Sequence, residues 1–127
     1  MNPEDCKYSE GHTWVRAEDG EATIGLSDYA QERLGSILFV ELKEPGDEVT
    51  MGEPCGSIES DKATSDISCP VSGEIIAMNE EVLDAPELVN DDPYGEGWLL
   101  RVRMNNPQEL DELMSASEFE AFTAGNE

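Results

Sequence analysis

The sequence predicts a mainly β fold, a small sandwich or flattened barrel that carries short helical additions. Three observations indicate this class. Short stretches of alternating apolar and polar residues recur along the chain, turn signals separate them every several residues, and helical signals are brief until the carboxyl end. Because 127 residues suit one hydrophobic core, we expect a single domain, 1–127, with its core at about 11–104 and a helical segment at about 106–124.

The first predicted element is a hairpin. His12–Ala17 alternates between apolar and polar residues, and Ala22–Leu26 returns as its partner strand. The Asp19-Gly20 pair between them is a typical two-residue hairpin turn. These residues therefore predict two antiparallel strands near the amino terminus.

A short helix and two strands are expected next. Ser27 can cap a helix at 28–34, and Gly35 would end it. Ile37–Val40 is the most apolar run of the chain and predicts a strand in the core. A short strand near 47–50 follows.

The residues from Cys55 to Met78 predict a second hairpin and a strand that supports it. Ile58 and Ile67 bracket a short polar segment whose centre is Lys62. We therefore expect Lys62 at the tip of the hairpin, where small or acidic neighbours leave its amine uncrowded.

The last part of the predicted core contains a short helix and a strand. Asp84 and Glu87 have capping-box spacing around a one-turn helix that ends near Asn90. Four apolar residues then fall on one face of a strand: Trp98, Leu100, Val102 and Met104.

The tail predicts two helices. Asn106-Pro107 begins the first and Ser117-Glu118 begins the second. Two apolar faces result, Leu110, Leu113 and Met114 on the first helix and Phe119 and Phe122 on the second. We interpret both faces as core contacts.

The charge is strongly negative. Thirty acidic residues against seven basic ones give a net charge of −23 at pH 7, which disfavours nucleic acids and anionic membranes as partners. Two explanations stay open, general solubility and steering towards basic docking surfaces on partner enzymes. We expect a cytoplasmic monomer, because no apolar run approaches a membrane span and the amino terminus lacks secretory features.

The sequence offers little for enzymatic catalysis. His12 is the single histidine, and no serine or cysteine lies in a recognisable nucleophile motif. Cys6, Cys55 and Cys69 lack C-x-x-C spacing, so we predict neither a disulfide framework nor a metal site. Packing is the expected role of Cys55 and Cys69. We expect a protein that is not an enzyme.

Lys62 has two interpretations. A lysine in a turn is usually a solvated charge. The chain contains only three lysines, however, Lys7, Lys43 and Lys62, so lysine is not its ordinary surface residue. A lysine on a protruding, well-supported turn is accessible to an amide-forming enzyme, which makes Lys62 a candidate modification site.

Motifs in a fixed order extend this hypothesis over nearly the whole chain. They are Trp14-Val15-Arg16, Ala22-Thr23-Ile24-Gly25, Asp28-Tyr29-Ala30-Gln31, Leu34-Gly35, Phe39-Val40-Glu41-Leu42, Pro45-Gly46-Asp47, Glu59–Asp66, Pro70–Glu74, Pro86–Asn90 and Asp92–Leu99. Together they resemble the glycine cleavage system H-protein family. The resemblance implies a barrel-sandwich hybrid of the biotinyl/lipoyl-carrier type, with an N-terminal hairpin and a C-terminal helical segment.

The resemblance also implies a cofactor, a site and partners. Lipoic acid would be joined to Lys62 as an amide, and Glu59 would be recognised by the attaching enzyme, a lipoate ligase or lipoyl transferase. Asp66, Thr13 and His12 would belong to the cleft that receives the arm. The arm would carry an aminomethyl group and reducing equivalents between glycine decarboxylase, aminomethyltransferase and dihydrolipoamide dehydrogenase, which together with the cofactor perform the chemistry.

Four residues depart from the family pattern. Thr13 stands where the family typically has an acid, and Asp61 stands where it usually has valine. Cys55 and Cys69 stand where the family tends to have apolar or small residues. A second hypothesis is therefore an H-like lipoate-binding protein that carries sulfur intermediates to a heterodisulfide-reductase-like complex, because such cargo needs no acidic partner. An unmodified scaffold is the third. The glycine cleavage hypothesis is preferred because such proteins are commoner.

Overall fold

Two antiparallel sheets form the framework of the computed structural model, which describes residues 4–124. The larger sheet has six strands in the order β1-β2-β3-β9-β8-β5, and the smaller one has three in the order β4-β6-β7. The strands are β1 (Lys7–Tyr8), β2 (Thr13–Glu18), β3 (Glu21–Leu26), β4 (Ile37–Leu42), β5 (Glu48–Val49), β6 (Pro54–Ser60), β7 (Thr64–Ser68), β8 (Gly73–Met78) and β9 (Leu100–Met104). The predicted mainly β class is confirmed.

The helices are short and lie outside the sheets. They are α1 (Asp28–Leu34), α2 (Glu80–Asp84), α3 (Leu88–Asp91), a 3-10 helix (Pro107–Glu112) and α4 (Ala116–Ala124). Within residues 4–124, no helix is both long and apolar enough to span a bilayer.

Local turn chemistry explains the amino-terminal half. Asp19 and Gly20 have φ angles of 51° and 82°, the positive values that a two-residue type I′ turn requires, and they join β2 to β3. The Ser27 side chain accepts a hydrogen bond from the amide of Ala30 at 3.1 Å, and Gly35 ends α1 with a φ of 81°. The predicted hairpin and helix are confirmed.

The strand β4 corrects one expectation. We expected all of Ile37–Val40 to lie in the core, but Leu38 and Phe39 are 56% and 53% exposed. The pairing register between β4 and β6 shifts between Ile37 and Phe39. Because a bulge adds one residue to the strand, two consecutive side chains face solvent before the alternation resumes at the buried Val40.

The helices α2 and α3 correct a second expectation, which concerns a helix cap. The predicted capping box of Asp84 and Glu87 is wrong, because Asp84 is the last residue of α2 and the Glu87 side chain makes no capping hydrogen bond. Asn79 caps α2 instead, accepting from the amide of Glu81 at 3.2 Å. Its amide group also donates to two carbonyls of the 96–98 loop, at 2.7 Å each, which accounts for its burial.

The tail is helical, as predicted, with different boundaries. Its first helix is a 3-10 helix, and α4 begins at Ala116, before the predicted start at Ser117. The capping box is formed by Ser115 and Glu118: the Glu118 carboxylate accepts from the Ser115 amide at 2.9 Å, and the Ser115 hydroxyl accepts from the Glu118 amide at 3.2 Å.

Two apolar clusters hold the fold together. The main core lies between the sheets and includes Ile24, Ile58, Ile75 and Val102. A second, aromatic cluster joins β1 and β2 to α4 through Tyr8, Trp14 and Phe119, and the rings of Tyr8 and Phe119 stack at 4.7 Å. The aromatic cluster ties the tail to the amino terminus.

These clusters divide residues that were expected to act together. Leu110 and Leu113 contact the main core, whereas Met114 lies against the aromatic cluster, where it bridges to Tyr8 of the unpredicted strand β1. Leu100 and Val102 are buried on β9 as predicted, but Trp98 precedes the strand and contacts the aromatic cluster.

Candidate functional site

The tip of the β6–β7 hairpin is a tight turn braced by one hydroxyl. Ser60 and Ala63 close the turn through a backbone hydrogen bond of 2.8 Å. The buried Ser60 hydroxyl donates to the Ala63 carbonyl at 3.0 Å and accepts from the amides of Lys62 and Ala63 at 3.3 and 3.1 Å. The backbone on both sides of Lys62 is therefore fixed by Ser60.

The turn also docks on the segment that follows α1. The Asp61 amide donates to the Ser36 carbonyl at 3.0 Å, and the Asp61 carboxylate accepts from the Ser36 amide at 3.1 Å. Gly35 permits this approach, since a β-carbon there would lie 2.5 Å from the Asp61 carboxylate and 3.3 Å from Cε of Lys62. Asp61 thus anchors the tip in this chain.

Lys62 lies in the middle of this turn with its side chain exposed. Its methylene groups run beside Gly35, and within residues 4–124 its ammonium group forms no ion pair or hydrogen bond. A fixed backbone and a free amine are the two features that a site of amide formation needs.

Glu59 lies on the outer face of the three-stranded sheet. It is exposed, its Cα partners are Phe39 on β4 and Thr64 on β7, and the three side chains form one row across the sheet. Glu59 therefore stands on the same surface as the tip, available to a protein that approaches Lys62.

A cleft of about 130 Å³ opens between β7 and α1. Its floor is apolar, formed by Leu26, Ala30, Leu34, Ile58 and Ile67. Its polar lining includes His12, Arg33 and Asp66. Asp66 is the third residue of β7, about 7 Å along the strand from its first residue, so the cleft begins close to the tip.

His12 is held against aromatic rings at one wall of this cleft. It has a φ of 68°, and its ring centroid lies 5.1 Å from that of Tyr29 and 6.0 Å from that of Phe122. Partial burial lowers the pKa of His12, and the positive charge of Arg33 lowers it further. The imidazole is therefore neutral at neutral pH.

Thr13 does not reach the cleft. It is fully buried, and its hydroxyl donates to the Ser68 carbonyl at 3.1 Å and lies 2.6 Å from the Ser9 hydroxyl. The structure thus brings His12 and Asp66 to the cleft and leaves Thr13 behind it, as a link between β2 and β7.

Asn90 is a supporting residue whose role the sequence did not indicate. Its side-chain amide donates to Gln31 at 2.9 Å and to the Gly35 carbonyl at 2.8 Å, and its oxygen accepts from the Ile37 amide at 2.9 Å. Asn90 therefore fixes the segment on which Asp61 docks. The only local signal at Asn90 was its position near the predicted end of a helix, which did not indicate its hydrogen-bond partners.

The three cysteines are interior side chains. Cys6, Cys55 and Cys69 are free and buried. Burial raises the pKa of Cys6 to about 11, and a hydrogen bond to Cys69, with burial, raises that of Cys55. Among residues 4–124, no group of His, Cys, Asp or Glu side chains is arranged to hold a metal ion.

A flattened β fold that presents one free lysine beside a cleft has the layout of a carrier domain, a protein modified on one side chain and visited by others. Comparison with known proteins identifies the group. The family model for the glycine cleavage H-protein matches residues 6–126. The chain belongs to the glycine cleavage H-protein family.

Individual relatives agree with this assignment. The glycine cleavage system H protein of Carboxydothermus hydrogenoformans is 48% identical over 118 residues, 93% of this chain and 91% of the relative. That of Idiomarina loihiensis is 51% identical over 120 residues, 94% and 93% of the two chains. The crystal structure of a glycine cleavage system H protein from Mycobacterium marinum superposes with a TM-score of 0.89 at 37% identity, covering 96% of this chain and 98% of that one.

Proposed function

We propose that this protein is a lipoyl carrier of the glycine cleavage system, with the lipoyl group attached as an amide to Lys62. The observation that carries the proposal is the free, exposed amine of Lys62 on a turn fixed by Ser60 and Asp61. Membership of the H-protein family supports the pathway. Neither the sulfur-carrier nor the unmodified-scaffold hypothesis is favoured by these relatives.

Attachment uses Lys62 as a nucleophile. Its nitrogen attacks a lipoyl carboxyl that an attaching enzyme has activated with ATP, the C–N bond forms, and the bond from carbon to the nucleotide oxygen breaks. The lysine ammonium loses two protons in the process, which pass to the attaching enzyme and solvent. The exposed outer-face position of Glu59 suits it to recognition by this enzyme, a lipoate ligase or lipoyl transferase.

The cleft fits an arm that is mainly apolar. When bound, the lipoyl group supplies a disulfide that accepts electrons and carries a one-carbon amine unit. The apolar floor of the cleft can cover the arm's methylene groups. Asp66 can accept a hydrogen bond from a cationic amine, and neutral His12 leaves Arg33 as the one positively charged side chain among the residues that line the cleft. Thr13, buried outside the cleft lining, contributes indirectly, through the hydrogen bond that links β2 to β7.

The partners follow from this role. They are the enzymes of glycine cleavage, namely glycine decarboxylase, aminomethyltransferase and dihydrolipoamide dehydrogenase, and they perform the catalysis. The net charge of −23 favours partners with basic docking surfaces. We also propose a cytoplasmic location, which the three free cysteines support, because free thiols are typical of reducing compartments.

Glycine-dependent reduction of the lipoyl disulfide tests the proposal. Lipoylated protein is mixed with glycine, glycine decarboxylase and its pyridoxal cofactor, and release of carbon dioxide is measured. We expect the initial rate of carbon dioxide release to saturate as the carrier concentration rises. Lys62→Arg treated in parallel should give no carrier-dependent release. An H protein of established activity serves as the positive control. Equal release with and without lipoylated carrier would contradict the proposal.

A further inference from the structure

Two apolar side chains beside the lysine tip face solvent. Leu38 and Phe39 are more than half exposed, and they are the only large apolar side chains so exposed within residues 4–124. The bulge that turns both outward lies on β4, next to the segment that docks on Asp61. A side chain as large as Phe is costly to leave in water, so its exposure at this position indicates a contact.

Leu38 and Phe39 lie close to Lys62, and strand pairing defines their position. Phe39 has Glu59 as its Cα partner, and Ile37 pairs with Ser60, so the bulge lies alongside the last residues before the turn. Glu41, two residues after Phe39, is also exposed. The apolar patch formed by Leu38 and Phe39 therefore has carboxylates on the same sheet face and the lysine at its end.

Proximity selects the partner among the enzymes that visit this protein. An attaching enzyme must bring the Lys62 nitrogen itself into its active site, so it covers the surface immediately around the tip. Enzymes that act later meet the far end of a long arm and can dock at a distance. A patch that adjoins the tip therefore serves the attachment step.

We propose that Leu38 and Phe39 form the apolar anchor by which the lipoyl-attaching enzyme docks on the unmodified protein. The inference rests on the proposed function. The enzyme's complementary surface is an apolar pocket with basic side chains at its rim, which meet Glu41 and Glu59. Aromatic anchors near the centre of an interface commonly dominate its affinity, which makes Phe39 the principal residue.

The test is the steady-state kinetics of lipoylation of unmodified protein by a lipoate ligase with lipoate and ATP. For Phe39→Ser we expect KM for the carrier to rise about tenfold or more with little change in kcat. Phe39→Tyr is the matched control, because it keeps the ring and most of the apolar area, and it should behave like the wild type. Thermal unfolding should be unchanged in both, since the side chain is exposed.

A second measurement separates attachment from later steps. Phe39→Ser, fully lipoylated with excess ligase and then chemically reduced to the dithiol form, should be reoxidised by dihydrolipoamide dehydrogenase and NAD+ at the wild-type rate. An unchanged KM for lipoylation would overturn the inference, as would an equal loss in the dehydrogenase reaction. A wild-type dimer in sedimentation analysis that Phe39→Ser dissociates would assign the patch to a second copy instead. Failure of the wild type to be lipoylated at all would reject the proposed function.

Discussion

The tip and the base of the β6–β7 hairpin are held by different interactions. At the base, Ile58 and Ile67 are 1% and 2% exposed and belong to the main core. At the tip, the exposed Asp61 and Lys62 bury little apolar surface, and hydrogen bonds from Ser60 and Ser36 set the backbone.

This difference means that the base of the hairpin mainly determines the stability of the fold, whereas the tip mainly determines how the Lys62 amine is presented. The base contributes to the free energy of unfolding, because apolar burial dominates that quantity. The tip contributes mainly to the position of the Lys62 amine, because each hydrogen bond there adds only about 0.5–1.5 kcal/mol of net stability. Changes at the base should therefore lower stability without abolishing modification of the folded protein, and changes at the tip should do the reverse.

The largest stability effect is expected at the base. Ile58→Ala removes buried methyl and methylene groups and leaves a cavity, so the free energy of unfolding should fall by about 2–5 kcal/mol in urea denaturation. The exposed Thr64→Ala on the same hairpin is the control and should stay within about 0.5 kcal/mol of wild type. Equal losses in the two variants would remove the distinction between base and tip.

Gly35→Ala should affect both properties. Its φ of 81° and the approach of Asp61 make a β-carbon strained and obstructive, so we expect a loss of about 1–3 kcal/mol and slower lipoylation. Gly46 is a matched control, since its φ is 98° and a β-carbon added there would meet nothing beyond its chain neighbours within 4 Å. Gly46→Ala should lose stability and keep the wild-type lipoylation rate.

Ser60→Ala should have a smaller effect on stability. It removes the hydroxyl that braces the turn, which is worth about 0.5–1.5 kcal/mol. Hydrogen exchange of the Lys62 and Ala63 amides should accelerate, while exchange at Ile58 should not. Ser65→Ala provides the comparison, because the Ser65 hydroxyl donates to the carbonyl of its neighbour Asp66 at 3.3 Å and does not brace the turn. Equal acceleration in that variant would argue against a specific brace.

The smallest expected effect is a pH dependence from His12. Its pKa is lowered in the folded protein, so below its ordinary pKa of 6.5 the unfolded chain binds more protons and stability falls with falling pH. The fall ends below the folded-state pKa. His12→Asn, which also tolerates a positive φ, should flatten this part of the stability profile measured by thermal unfolding. An unchanged profile would assign the dependence to other groups.

Sequence predicted the features that local chemistry determines. The Asp19-Gly20 turn, the Ser27 cap and the lysine between two apolar positions all follow from neighbouring residues. The bulge at Leu38, the docking of Asp61 on Ser36 and the burial of Thr13 depend on contacts between distant segments. The same limit applies to Asn90, whose partners Gln31 and Gly35 lie far away in the chain.

We propose that presentation at a braced tip, and not exposure alone, makes Lys62 the attachment site. The chain provides its own comparison, because Lys7 and Lys43 are also exposed but lie outside the tip. The most direct measurement is peptide mapping by mass spectrometry after treatment with a lipoate ligase, lipoate and ATP. We predict one lipoyl group, on Lys62, and none on Lys62→Arg; lipoylation of Lys7 or Lys43, or of the Lys62→Arg protein, would contradict the account.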